Sequence, residues 1–378
     1  MLQIEQSHSL TDVGRSATSK RTAPQWQAPW HGGFGDVGIM TFEVPARDGS
    51  GQPGASRIAA ALANGARKRY VRRRTVNTSI PATRMFVILA RRARKAVIFR
   101  RGPSRQVALI LWHTDRDTFE VGQWFKGRIY ERRCDLSPSG DRLIYFAASW
   151  KRHHAPGSWT AISKPPWLTA VTLWPKGDAW GGGGLFENEK TVLLNHRQGD
   201  RKHPGEFAIG EGSFPPPRDV IVKPLWERAG WGEDDPIYTM RAMRDGWTIL
   251  QEGNARDPSQ KSTTSWTFDP PTISAKTSPR DAHLELRSIV RGMHERNGAL
   301  YVIDHSLHDA RSDTTRDFGR SEWADWDQNG DILLARGGKL FRGKRPRSLG
   351  DRALVEIADF STLRFEEKTS PPAARRWR

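Results

Sequence analysis

The sequence predicts an all-β chain of short antiparallel strands, on three observations. It holds 35 glycines and 24 prolines among 378 residues, so turns are frequent, and 16 tryptophans, which need a core to fill. From Met85 onward, apolar runs of four to six residues alternate with turn signals. One turn pattern recurs along that stretch.

Composition narrows the class. A single cysteine, Cys134, rules out an intrachain disulfide and a cysteine-based zinc finger, and fits a reducing compartment. No run approaches the roughly 20 apolar residues that span a bilayer. Residues 1–10 lack the apolar segment of a signal peptide. A cytoplasmic protein with no membrane partner is expected. The formal charge is +18, spread as +7 over residues 1–84 and +11 over the rest. Beyond residue 84 the charges are mixed, and the excess of Arg over Lys fits a coding bias, so the field is diffuse and attracts anions without defining a nucleic-acid site.

Residues 1–84 differ in texture. They carry Gly- and Ser-rich stretches, one candidate helix over 55–69 and a strongly basic run over 67–74. This reads as a poorly ordered basic extension. The alternative is that it is not part of the natural protein, with translation starting at or near Met85.

The strands then follow in order. Phe86-Val87-Ile88-Leu89 is the first. Ala96-Val97-Ile98-Phe99 and Gln106-Val107-Ala108-Leu109-Ile110-Leu111-Trp112 flank Gly102-Pro103 and form a hairpin. Further strands are expected at 192–194, 219–222 and 300–303. Residues 281–295 carry Leu284, Ile289 and Met293 among charges, and read as a helix.

The recurring turn has a large apolar residue, three variable residues, Gly-Asp, one variable residue and a second large apolar residue. Its copies run from Leu136 through Gly140-Asp141 to Leu143, from Leu173 through Gly177-Asp178 to Trp180, and from Trp326 through Gly330-Asp331 to Leu333. Asp135 and Asp325 precede the first and third copies. Pro, Ser or Asn preorganises the bend, and Gly supplies a positive φ at no steric cost. The spacing suggests a period of roughly 40 residues, the length of a four-stranded propeller blade. Residues 85–378 are therefore expected to form a β-propeller-like domain of about six or seven blades.

The segment Leu136-Ser137-Pro138-Ser139-Gly140-Asp141-Arg142-Leu143 also resembles the blade hairpin of TolB-like and WD40-like propellers. The resemblance implies the fold, and it implies no particular activity. The Gly-His and Trp-Asp pairs that end WD40 blades are missing, apart from one isolated Trp326-Asp327 inside a turn.

Candidate sites are few. Trp180-Gly181-Gly182-Gly183-Gly184 could let a ligand approach the backbone. Trp226 and Trp231 flank a Gly- and acid-rich segment, where tryptophan can anchor a partner. Asp304-His305-Ser306-Leu307-His308-Asp309 gathers acid–base and metal-ligand residue types, in a segment expected to be a loop. No hydrolase elbow, dinucleotide fingerprint or kinase motif occurs, and no cofactor is expected. The leading expectation is a non-enzymatic protein-interaction scaffold holding a protein or peptide partner. The alternatives are a propeller enzyme, hydrolase or lyase, acting on a small polar or carbohydrate substrate through Asp304, His305, His308 or Asp309, and an anionic-polymer (nucleic acid) binder using residues 67–74 and 91–101.

Overall fold

The computed structural model describes residues 83–102, 105–149, 157–196, 214–225, 234–256, 264–295, 299–348 and 354–377. All lie in the compact unit Thr75–Arg378. The basic run 67–74, the candidate helix 55–69, Trp226 and Trp231 lie outside the described residues.

The described residues are mostly β, in five sheets that follow the sequence order, compatible with an all-β fold. The first is an up-and-down meander of β1 (Arg84–Leu89), β2 (Lys95–Arg101), β3 (Gln106–His113) and β4 (Thr118–Lys126). The second joins β5 (Arg128–Ile129) and β6 (Asp135–Leu136) to β7 (Leu143–Ala148), β8 (Ser158–Ser163) and β9 (Thr172–Pro175). The third comprises β10 (Gly184–Phe186), β11 (Thr191–Leu194) and β12 (Ile221–Pro224), with the β11–β12 pair parallel. Helix α1 (Ile237–Arg244) follows. The fourth holds β13 (Trp247–Gln251), β14 (Ala255–Arg256), the 15-residue strands β15 (Thr264–Ser278) and β16 (Asp281–Glu295), then β17 (Tyr301–Asp309) and β18 (Thr314–Arg320). The fifth is a meander of β19 (Trp323–Trp326), β20 (Ile332–Arg336), β21 (Lys339–Gly343) and β22 (Val355–Asp359).

Apolar clusters join neighbouring sheets. In β1, Ile88 faces a core shared with Leu136, Leu143 and Tyr145 of the second sheet. Met85 and Val87, on the other face, meet Trp323, Leu333 and Leu340 of the fifth. Both faces of β1 are buried, which is why its sequence is continuously apolar rather than alternating. Ile144, Ile162 and Trp174 join the second sheet to Phe186, Val192 and Leu194 of the third. Leu284, Leu286 and Leu307 join the fourth to Trp326 and Leu334 of the fifth. Helix α1 sets Ile237 and Met240 against Leu185, Leu193 and Leu225.

Two copies of the recurring turn close hairpins with the glycine in the same place, in registers one residue apart: Leu136 pairs with Leu143 and Trp326 with Ile332. Ser137 N–H donates to Arg142 O at 2.8 Å and Gly140 N–H to Ser137 O at 2.8 Å. Asp327 N–H donates to Asp331 O at 2.9 Å and Gly330 N–H to Asp327 O at 3.0 Å. The glycines have φ of 75° and 74°. The copy at Gly177 is different. It leaves β9 and crosses to the third sheet, and Trp180 ends exposed instead of returning to the core.

Residues 281–295 are strand β16, not a helix. The strand is hydrogen-bonded to β15 on one side and β17 on the other. The decisive spacing is two, not four: Leu284 and Leu286 are buried on one face. Residues 304–309 lie within β17, not in a loop. The boundary expected after residue 84 falls inside β1, where Arg84 pairs with Arg101.

Candidate anion-binding cavity

Antiparallel pairing fixes the register of the first hairpin, and that register creates a site. Leu89 pairs with Ala96 at the turn, so Arg84 falls directly opposite Arg101 at the far end. Directly opposed residues share a face of the sheet, and like charges there are destabilising. Both side chains line a cavity of about 80 Å³. Two more arginines reach it from the next segment, Arg128 in β5 and Arg132 in the 3-10 turn Glu131–Arg133. The remaining wall includes Phe86, Tyr130, Tyr301, Glu131, Asp234 and Glu322.

Aromatic rings hold the guanidiniums. Arg132 lies 3.9 Å from the ring centroid of Tyr301 and 4.2 Å from that of Tyr238. Arg128 lies 4.2 Å from the Tyr130 ring. Such stacking occupies the face of a guanidinium and leaves its N–H fork directed in plane, the geometry that suits carboxylate or phosphate oxygens.

The acids of the wall balance part of this charge. Glu131 pairs with Arg101 at 3.1 Å, and Asp234 stands 4.0 Å from Arg132. Burial pushes Glu322 up to about 7, against one bifurcated hydrogen bond to its carboxylate from the Gly337 N–H and the nearby charge of Arg84. Burial and Arg101 both lower Arg84 from the ordinary arginine value. Burial, then Asp234, raises Tyr301 well above the usual phenol. For Arg132 burial works in the opposite sense, but Tyr238, Tyr301 and Asp234 outweigh it and its pKa rises. Four arginines thus line the cavity with three carboxylates, one of which, Glu322, burial displaces upward to about 7.

The sites expected from sequence fall elsewhere. On β17 the side chains of Asp304, Ser306 and His308 point to one face and those of His305 and Asp309 to the other. His305 and His308 are therefore not brought together. His305 is buried, bonded through Nδ1 to Ser321 Oγ at 2.7 Å, and burial pushes it down to about 3. His308 bonds Thr315 across the β17–β18 pair. Asp304 is held by Arg291 and Arg320, and Asp309 by Arg347 and the Arg311 N–H. Among the described residues, no group of three or more His, Cys, Asp or Glu is placed to hold a metal ion.

The glycine run serves close packing. Gly181 and Gly182 have φ of 68° and 82°. A Cβ on Gly182 would strike the Phe146 ring, and one on Gly183 the backbone of Arg133. Asn195 receives the Gly182 N–H on its backbone oxygen at 2.8 Å. Gly181 and Gly182 thus approach the protein's own groups, and Trp180 beside them is 74% exposed. The basic stretch 91–101 is largely engaged internally. Arg91 donates to Phe186 O and Glu187 O, Arg92 pairs with Glu189, Lys95 with Asp141, and Arg100 is buried against Phe360 O and Ser361 O.

No family model matches this chain, and no curated protein matches it. The reading of the cavity rests on its own chemistry. Among the described residues, no helix is long and apolar enough to cross a membrane.

Proposed function

We propose that the protein is a non-enzymatic binding module that holds a small anionic ligand in this cavity, on a β-propeller whose blades are the five sheets. The observation that carries the reading is the Arg84–Arg101 pair, two like charges set opposite one another in a cavity wall. Glu131 and Glu322 offset part of this repulsion, and with Arg128 and Arg132 the cavity still holds one more cation than carboxylates, which favours a bound anion.

The blade reading is supported by the two full meanders, by the recurring left-handed glycine turns at Gly140 and Gly330, and by the packing of the first sheet against both the second and the fifth. On this reading the sheets supply five blades rather than six or seven, the fourth sheet with its 15-residue strands taking the length of nearly two.

Calorimetric titration of the full chain with inorganic sulfate and with phosphate tests the function. One site per chain is expected. Arg84→Met should weaken binding about tenfold or more, the worth of a charge-assisted hydrogen bond. Lys339→Met, an exposed ion pair on β21, should leave it unchanged. No binding of either anion, or equal losses in the two variants, would contradict the reading.

A second reading, a protein-interaction scaffold, is favoured by one observation, the exposed indole of Trp180. Loss of a stoichiometric protein partner on Trp180→Ala, with anion binding intact, would support it.

A further inference from the structure

We propose that the cavity takes up its anion together with a proton, which resides on Glu322. The inference rests on the anion-binding reading and adds to it the stoichiometry of the bound species. Glu322 lines the same cavity as the four arginines, so an anion held by them is placed beside this carboxylate. Two negative groups in one partly buried space repel, and protonation of the weaker acid removes the repulsion.

The surroundings of Glu322 leave it able to accept that proton. It precedes β19, and its oxygens receive the Gly337 N–H from the β20–β21 turn at 2.9 and 3.1 Å. Arg84 from β1 and Arg336 from β20 are the cations that face it. Arg84 also faces the carboxylates of Glu131 and Glu295, and Arg101 repels it. Arg336 donates to Phe318 O. Across the cavity stand Asp234 and Tyr301, whose phenol is protonated throughout the physiological range. With its ordinary value already displaced upward to about 7, Glu322 sits where a further upward displacement by a bound anion transfers a whole proton. No covalent bond forms or breaks: the solvent or buffer supplies the proton, and release of the anion returns it.

The experiment is titration with sulfate, which keeps one charge state from pH 6 to 9, in pairs of buffers with different ionisation enthalpies. The dependence of the observed heat on the buffer gives the protons taken up per anion. At pH 8 the wild-type chain should take up close to one proton, and its affinity should fall by up to about tenfold per pH unit above pH 7. Glu322→Gln should bind sulfate with no proton uptake and a flat pH profile. Sulfate binding by the wild type without proton uptake overturns this inference and leaves the anion site standing. Proton uptake that persists in Glu322→Gln also overturns it, since Glu131 or Asp234 would then carry the proton. Failure of sulfate to bind at all overturns both.

Discussion

Arg84 and Arg101 occupy directly opposed positions on β1 and β2 and share the wall of one cavity. Cross-strand pairs contribute roughly 0.2–1 kcal/mol, unfavourably for like charges. Replacing Arg84 by Gln is expected to leave the protein as stable or slightly more stable in urea unfolding, while anion affinity falls. A gain of stability with loss of binding is the signature of a residue kept for its site. A loss of several kcal/mol would make Arg84 a structural residue.

A second charge pair has the opposite character. The guanidinium of Arg244 in α1 meets the carboxylate of Asp135 in β6 two-on-two, at 2.7 and 2.9 Å, and the Asp135 side chain is wholly buried. Removing one partner strands a buried charge, at about 3–5 kcal/mol. Arg244→Met should cost that much by denaturant unfolding. Adding Asp135→Asn to it should recover part of the loss. Additive losses would argue against direct coupling.

Packing of the first sheet on the fifth has its own test. Trp112 is fully buried in the cluster that also holds Trp323 and Leu333. Trp112→Ala is expected to lower stability by about 3–5 kcal/mol. Trp180→Ala, at a side chain 74% exposed, should change it by less than about 0.5 kcal/mol. Gly182→Ala should destabilise by more than about 1 kcal/mol, because it adds a Cβ at positive φ against the Phe146 ring.

Acid should destabilise the protein through two histidines. Burial holds both His196 and His305 at about 3, below the unfolded value near 6.5. Between those values the unfolded chain binds protons that the native one does not. Stability is therefore complete above pH 6.5 and falls as pH drops toward 3, by about 1.4 kcal/mol per pH unit for each histidine. Glu322 acts in the opposite sense. From pH 4.5 to 7 the native state holds a proton that the unfolded state has lost, so this group favours folding less as pH rises. Unfolding curves from pH 4 to 8 should show a shallower acid slope in His305→Gln than in the wild type. Equal slopes would mean that His305 is not the group involved.

Much of the all-β character was legible in residue spacing. The hairpin of β2 and β3 follows from two apolar runs about Gly102-Pro103, and the turns at Gly140 and Gly330 from a shared pattern. In β16, Leu284, Ile289 and Met293 mimic a helical face, while the Leu284–Leu286 alternation decides the strand. The glycine run looked like a ligand loop, since sequence does not reveal that Phe146 and Arg133 pack against it. His305 and His308 drew notice by composition, and period-two geometry sends them to opposite faces. The cavity went unseen because its residues come from segments as distant as Arg84 and Glu322. One part of it was within reach: once Leu89 is paired with Ala96, Arg84 must lie opposite Arg101. The arginines were instead averaged into a diffuse charge.

The most direct test of the central claim is a crystal structure of the full chain grown with selenate, located by the anomalous scattering of selenium. A peak is expected within hydrogen-bonding distance of guanidinium nitrogens among Arg84, Arg101, Arg128 and Arg132. A cavity free of selenate, in crystals where the anion binds at other surfaces alone, would contradict it.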